Sequence, residues 1–177
     1  MTTIATTVGR PEAGEYAAFY ERYIVGITRA DILETLEAQR REMLLLLSGL
    51  SEKDGDIRYA AGKWSVKEVV GHVCDAERIF AYRALRFGRG DAAPLAGFDE
   101  NEYVSHAPFA KLEMADLVEE FTAVRRATLS LFRSFDQEAW MLRGVANNNP
   151  VSVRALAYII AGHELHHRRI LEEKYLK

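Results

Sequence analysis

Apolar residues recur at three- and four-residue intervals through four long stretches of this chain, the spacing that lines one face of an α-helix. The first stretch runs from about Asp31 to Leu47, with Leu33, Leu36, Met43, Leu44 and Leu47 as its stripe. The second begins where Ser65 is followed three residues later by Glu68, the pattern of a capping box, which predicts a helix from near Val66. Val66, Val69, Val73, Ala76 and Phe80 form its buried side, and Gly88 and Gly90 mark its end. A third helix is predicted from about Glu113 to Phe135, packed through Leu117, Phe121, Val124, Thr128, Leu131 and Phe135. Asn147-Asn148-Asn149-Pro150 then breaks the chain, and Ser152 is placed to N-cap a last helix carrying Leu156, Ile159, Ile160, Ile170 and Leu171. No run alternates as a strand would, so the pattern predicts an all-α, four-helix bundle.

The segments between the helices add two features. Glu15 to Ile24 is rich in aromatics and is expected to strap across the bundle, as part of an N-terminal strap at about residues 1–30 of a single domain spanning 1–177. Asp91 to Ala110 contains two of the four prolines, lacks sustained periodicity and exceeds an ordinary bundle loop, which suggests a lid or the rim of a pocket. A packed crossover is the alternative for that segment.

Charge and cysteine content narrow the function classes. With 23 basic and 26 acidic residues the net charge is −3, and no basic run interleaved with aromatics appears, so direct nucleic acid binding is disfavoured. Cys74 is the single cysteine, which rules out an intramolecular disulfide and suits a reducing, cytoplasmic setting. Its place on the second helix reads as a small packed residue. The first ten residues lack the apolar core of a signal peptide, and no later run is long enough to cross a membrane.

The candidate chemistry lies in the histidines. His163 and His167 sit four apart near the middle of the last helix's apolar stripe, so two imidazoles stand one above the other and point at the core. His166 is displaced toward the stripe's edge. The plain reading is a pair of core histidines satisfied by hydrogen bonds; the sharper one is a shared metal ion, which needs a third ligand. His72, at the margin of the second helix's buried side, is the candidate, whereas His106 precedes a proline in a loop-like stretch and reads as a surface residue. Three neutral imidazoles suit one divalent transition metal ion, zinc or nickel, and three ligands leave a coordination position open where a structural site has four. Glu77 falls on the inward side of the second helix, where it can accept from and orient a ligand histidine or assist proton transfer; a buried ion pair or an outward-bent side chain is the plainer reading. Asp75 reads as a solvent-facing acid.

Lys63-Trp64-Ser65-Val66-Lys67-Glu68 leading into Gly71-His72, then Asp75-Ala76-Glu77-Arg78, Gly97-Phe98-Asp99-Glu100-Asn101-Glu102-Tyr103, and Gly162-His163-Glu164-Leu165-His166-His167 together resemble the DinB/YfiT-like metalloenzyme family. The resemblance covers most of the chain. It implies a four-helix bundle of DinB/YfiT-like type in which His72, His163 and His167 are the metal ligands and His166 is not. Many members follow the last ligand with Arg-Gly-Gln, where this chain has Arg168-Arg169-Ile170. Relatives in the family include metal-dependent S-transferases, so the resemblance implies a transferase that moves a low-molecular-weight thiol such as bacillithiol or mycothiol onto an electrophilic substrate, with hydrolysis second. The alternatives are a catalytically inactive metal-stabilised scaffold, or a bundle that binds a small molecule or protein. No residue is assigned a catalytic step, and assembly as a homodimer stays open.

Overall fold

Side-chain caps set where the long helices begin. In the computed structural model, which describes residues 8–177, the Asp31 carboxylate accepts from the backbone N–H groups of Leu33 and Glu34 and starts α1 (Ile32–Ser48). Ser65 and Glu68 form the reciprocal capping box that starts α2 (Val66–Gly88). The third helix, α3 (Met114–Arg133), has no cap of its own. Its Met114 N–H donates instead to Glu52 Oε1 at 2.7 Å, a partner from a short helix, Glu52–Gly55. Ser152 accepts from Ala155 N–H at 3.0 Å to start α4 (Val153–Ile170), which runs on into a π-type turn at Leu171–Tyr175.

The fold is a four-helix bundle. Helix α2 packs on α3 and α4, and α1 packs on the same two, so consecutive helices α1 and α2 face each other across the diagonal. Apolar stripes from all four fill the centre, where Trp140 from a short helix stacks on Phe132 with ring centroids 5.2 Å apart. Among the described residues, no helix is long and apolar enough to cross a membrane. The strap expected at about residues 1–30 falls outside the described residues at 1–7. Within them it forms a 3-10 turn (Ala18–Tyr20) and a single helical turn (Glu21–Ile24) lying on α4.

Several expectations need correction. The buried side of α1 is Ile32, Thr35, Leu36, Gln39, Met43 and Leu47, while Leu33 and Leu44 are half-buried. The helix is rotated because Gln39 is drawn inward: its Nε2 donates to the Ala161 carbonyl of α4 at 2.9 Å. Leu131 of α3 is likewise half-buried, while Arg125, absent from the expected stripe, is fully buried. The chain also contains strands. Arg143–Ala146 (β1) and Asn149–Ser152 (β2) form an antiparallel hairpin, and Asn147 and Asn148 make its two-residue turn with φ of 49° and 60°, as a type I′ turn requires. Four-residue strands are too short to show alternation, and Pro150 reads against a strand although an edge position tolerates it. The connection after α2 is more regular than expected too, because Asp99 caps a short helix (Glu100–His106). Just before it, Leu95 N–H donates to Val145 O at 2.9 Å and Leu95 O accepts from Asn147 N–H at 3.0 Å, joining this segment to the hairpin.

Candidate metal centre

Each of two histidines follows a glycine, and packing explains both glycines. A Cβ on Gly162 would lie 2.2 Å from the Tyr23 carbonyl oxygen, so the strap backbone rests directly on α4 beside His163. A Cβ on Gly71 would lie 2.4 Å from the Phe109 ring, which packs on α2 beside His72. Close approach on the glycine side holds both helices in place while the adjacent imidazoles point into the space between them.

That space is where the rings meet. His72 Nε2 and His163 Nε2 are 3.0 Å apart, and the ring centroids of His72, His163 and His167 are separated by 4.5 to 4.9 Å. One nitrogen from each ring falls within a group spanning no more than 4.8 Å. His72 and His163 are buried, and His167 is half-buried at the edge of the group. His106 is exposed on its own short helix, where its Nδ1 lies 2.8 Å from Glu102 O. His166 is exposed, with its ring 5.1 Å from that of His167 and outside the group of three.

The donor set fits a metal ion. Among the described residues the three rings make one hydrogen bond, between His72 and His163, which leaves the plain reading of hydrogen-bonded core histidines short of partners. Two nitrogens each about 2.1 Å from a shared ion lie about 3.0 Å apart when they subtend roughly a right angle. Burial holds the His72 pKa down at about 4. Burial, followed by the neighbouring imidazoles, holds His163 and His167 well below the ordinary histidine value. All three are therefore neutral at pH 7 and carry a free lone pair for an ion.

The group opens onto a cavity of about 430 Å³ whose walls include Tyr20, Tyr23, Trp64, Phe80 and Phe98, with Arg22, Arg83 and Glu100 as its charged groups. Trp64 is half-buried with its ring 4.8 Å from His72, while Trp140 belongs to the core. Gly97, Phe98 and Glu100 bring the 91–110 connection to the cavity wall as a rim.

Glu77 is occupied elsewhere. Its carboxylate accepts from Arg125 Nε at 2.8 Å and from Nη2 at 2.8 Å, with both side chains buried, and orients no histidine. Its inward position and its buried ion pair both agree with the plainer sequence reading, with α3 as the neighbour it meets. Asp75 is half-buried beside Arg78 at 3.6 Å and is less open to solvent than expected. Cys74 is fully buried, and burial pushes its thiol pKa up, as suits a packed residue. Arg168, which keeps the arginine of the Arg-Gly-Gln pattern while Arg169 and Ile170 depart from it, has its Nη1 2.8 Å from Glu42 Oε2 and ties α4 to α1.

One acidic residue was missed. Glu164, next to His163, is buried with neither carboxylate oxygen hydrogen-bonded among the described residues. Burial raises its pKa to about 7, although Arg125 and Arg168 pull the other way. The signal was its place beside Ile160 and Leu171 on the inward side of α4, where a carboxylate is out of keeping.

Comparison with known proteins agrees with this architecture. A search of curated proteins finds no match. The structure of YfiT from Bacillus subtilis, described as a probable metal-dependent hydrolase with an unusual four-helix bundle topology, superposes with a TM-score of 0.68. It is 14% identical, over 92% of this chain and 89% of that one, and the likeness carries the fold. The model of the DinB superfamily matches residues 35–171, from the first turn of α1 to the end of α4. That span takes in both glycine–histidine pairs and all four long helices, and the chain belongs to the DinB superfamily.

Proposed function

We propose that the chain binds one divalent transition metal ion, zinc or nickel, through His72, His163 and His167, and transfers a low-molecular-weight thiol to an electrophile. The observation that carries this reading is the group of three neutral imidazoles, without a fourth ligand among the described residues, at the wall of an open cavity. A bound ion would supply Lewis acidity there and would favour the thiolate form of a thiol near neutral pH. The chain's own residues do the rest. Trp64, Tyr23 and Phe80 surround the histidines with aromatic surface and exclude water from the side where a sulfur would enter. Apolar walls hold the electrophilic carbon against the sulfur, so that the carbon–sulfur bond forms as the bond to the leaving group breaks. The thiol proton passes to solvent at the open edge beside His166.

Hydrolysis is the second reading, favoured by the description of YfiT as a probable metal-dependent hydrolase. It requires an acceptor for a proton from water, and Glu100 is the one carboxylate among the described cavity-lining residues. The test is metal analysis of protein purified without an affinity tag, then a screen of bacillithiol, mycothiol, glutathione and coenzyme A against varied electrophiles. A thioether product that disappears with His72→Ala is expected. Product formed at the same rate without thiol supports hydrolysis, and no turnover by metal-loaded protein rejects both in favour of a metal-stabilised scaffold.

A further inference from the structure

Two arginines are buried among the described residues, Arg83 and Arg125, and their surroundings differ. Arg125 is held by Glu77, and the half-buried Arg154 and Arg168 likewise have Glu15 and Glu42. Arg83 is only 4% exposed, yet among the described residues it has no carboxylate within 4.0 Å. Its Nη2 donates to the Ala96 carbonyl at 2.8 Å, and its other polar neighbour is the phenol of Tyr20. Arginine stays charged even when buried, so a guanidinium without a carboxylate of its own stands at the cavity wall. An anion entering the cavity would complete it.

Arg83 also lines the cavity that holds the three histidines. His72 and Arg83 are eleven residues apart on α2, three helical turns, which places them on one face about 16 Å apart along the axis. A long side chain on a helix leans back toward the N-terminus, here toward the histidines. The Phe80 ring occupies the interval, with its centroid 5.7 Å from Arg83 Cζ and 6.1 Å from the His163 ring. The cavity thus presents, in order, a cation, an aromatic surface and a set of metal ligands.

We infer that Arg83 is a specificity-determining residue that anchors a carboxylate, so that the substrate is an elongated monoanion with its apolar middle against Phe80 and its reactive end at the histidines. A single guanidinium with one nitrogen already committed to Ala96 matches a carboxylate, which takes two parallel N–H donors. The reactive end rests on the thiol-transfer reading; the anchor does not.

Two sets of probes separate these. Hexanoate and hexanamide added to metal-free protein report the anchor alone: hexanoate raises the melting temperature, hexanamide does not, Arg83→Gln abolishes the shift and Arg83→Lys restores part of it. In cobalt(II)-loaded protein, 6-mercaptohexanoate and 6-mercaptohexanol report both ends through the sulfur-to-cobalt charge-transfer absorption. The acid is expected to bind roughly ten- to a hundredfold more tightly than the alcohol, as a charge-assisted hydrogen bond implies, and the two are expected to bind alike to Arg83→Gln. Equal binding by wild-type protein with full absorption overturns the anchor and leaves thiol binding intact. An Arg83-dependent hexanoate shift with no absorption from either thiol keeps the anchor and removes the thiol reading. A preference for the acid that survives Arg83→Gln assigns the anion to another cation, such as Arg22, and also overturns the proposal. Should Arg83→Gln fail to fold, a wild-type acid-to-alcohol ratio near one overturns it, and a tenfold ratio reduced by less than half in Arg83→Lys supports it.

Discussion

Replacing Glu77 with leucine is expected to be among the most damaging single changes outside the histidines. The carboxylate takes three contacts of 2.8 to 3.1 Å from Arg125, and the two side chains are 2% and 0% exposed. Glu77→Leu leaves the guanidinium in the core with the Leu36 carbonyl at 3.1 Å as its remaining hydrogen-bond partner. Removing one partner of a buried ion pair costs about 3–5 kcal/mol. In a chain of this length each kcal/mol moves the melting temperature by about 2–4 °C, so the loss is about 6–20 °C. Glu164 also acts electrostatically on Arg125 as a second counter-charge and favours the lower end of that range. Glu77→Leu combined with Arg125→Leu removes the stranded cation, and most of the lost stability returns. The assay is thermal unfolding of metal-free protein followed by circular dichroism, with urea denaturation as a second measure. A single mutant within about 2 °C of wild type, or a double mutant no better than the single, would refute the reasoning.

Metal saturation at about a thousand times the dissociation constant should stabilise the protein by roughly 4 kcal/mol, read as a melting shift against chelator-treated protein. His72→Ala should erase that shift and His166→Ala should keep it; the reverse pattern breaks the ligand assignment. Acid should weaken the metal-free protein: the three histidines have folded pKa values below the unfolded value of 6.5, so the stability they contribute is present above pH 6.5 and is lost as pH falls through the folded values, about 4 for His72 and well below the ordinary value for His163 and His167. Glu164, raised to about 7, acts with the opposite sign but is one group against three, and a urea midpoint that does not fall between pH 6.5 and 4 contradicts this. Gly162→Ala should cost about 1–3 kcal/mol and loosen metal binding, because its Cβ must push back the Tyr23 backbone; unchanged melting would show that the strap yields freely.

The parts of the fold that sequence reveals are those written by short-range bonds. Ser65 with Glu68, Asp31 and Ser152 each satisfy N–H groups within three residues, so the starts of α1, α2 and α4 can be read locally. The four-residue spacing of His163 and His167 is equally local. What escaped depends on partners far along the chain. Arg125 reads as a break in an apolar stripe until Glu77, 48 residues away, is placed against it. Gln39 turns α1 because of a carbonyl 122 residues distant. Periodicity identified the inward side of Glu77, but a helix in a bundle has two inward neighbours, and nothing local says which one a side chain meets. The hairpin escaped for another reason: asparagines, and not glycine, supply both positive φ angles of its turn.

The rim of the cavity is held together by main chain. Leu95 exchanges backbone hydrogen bonds with Val145 and Asn147, and β1 pairs with β2, so these bonds need no particular side chain. The side chains of Phe98, Glu100, Asn147 and Asn149 face the cavity from that frame. Frame and lining are separable at three of these positions: exchanging Phe98, Glu100 or Asn149 can retune what the cavity accepts while leaving the histidines, their glycines and the bundle beneath untouched, whereas Asn147 also supplies a positive φ to the turn. Such a chain can change the lining of its cavity by rewriting a few codons at one edge while the three histidines beneath stay where they are.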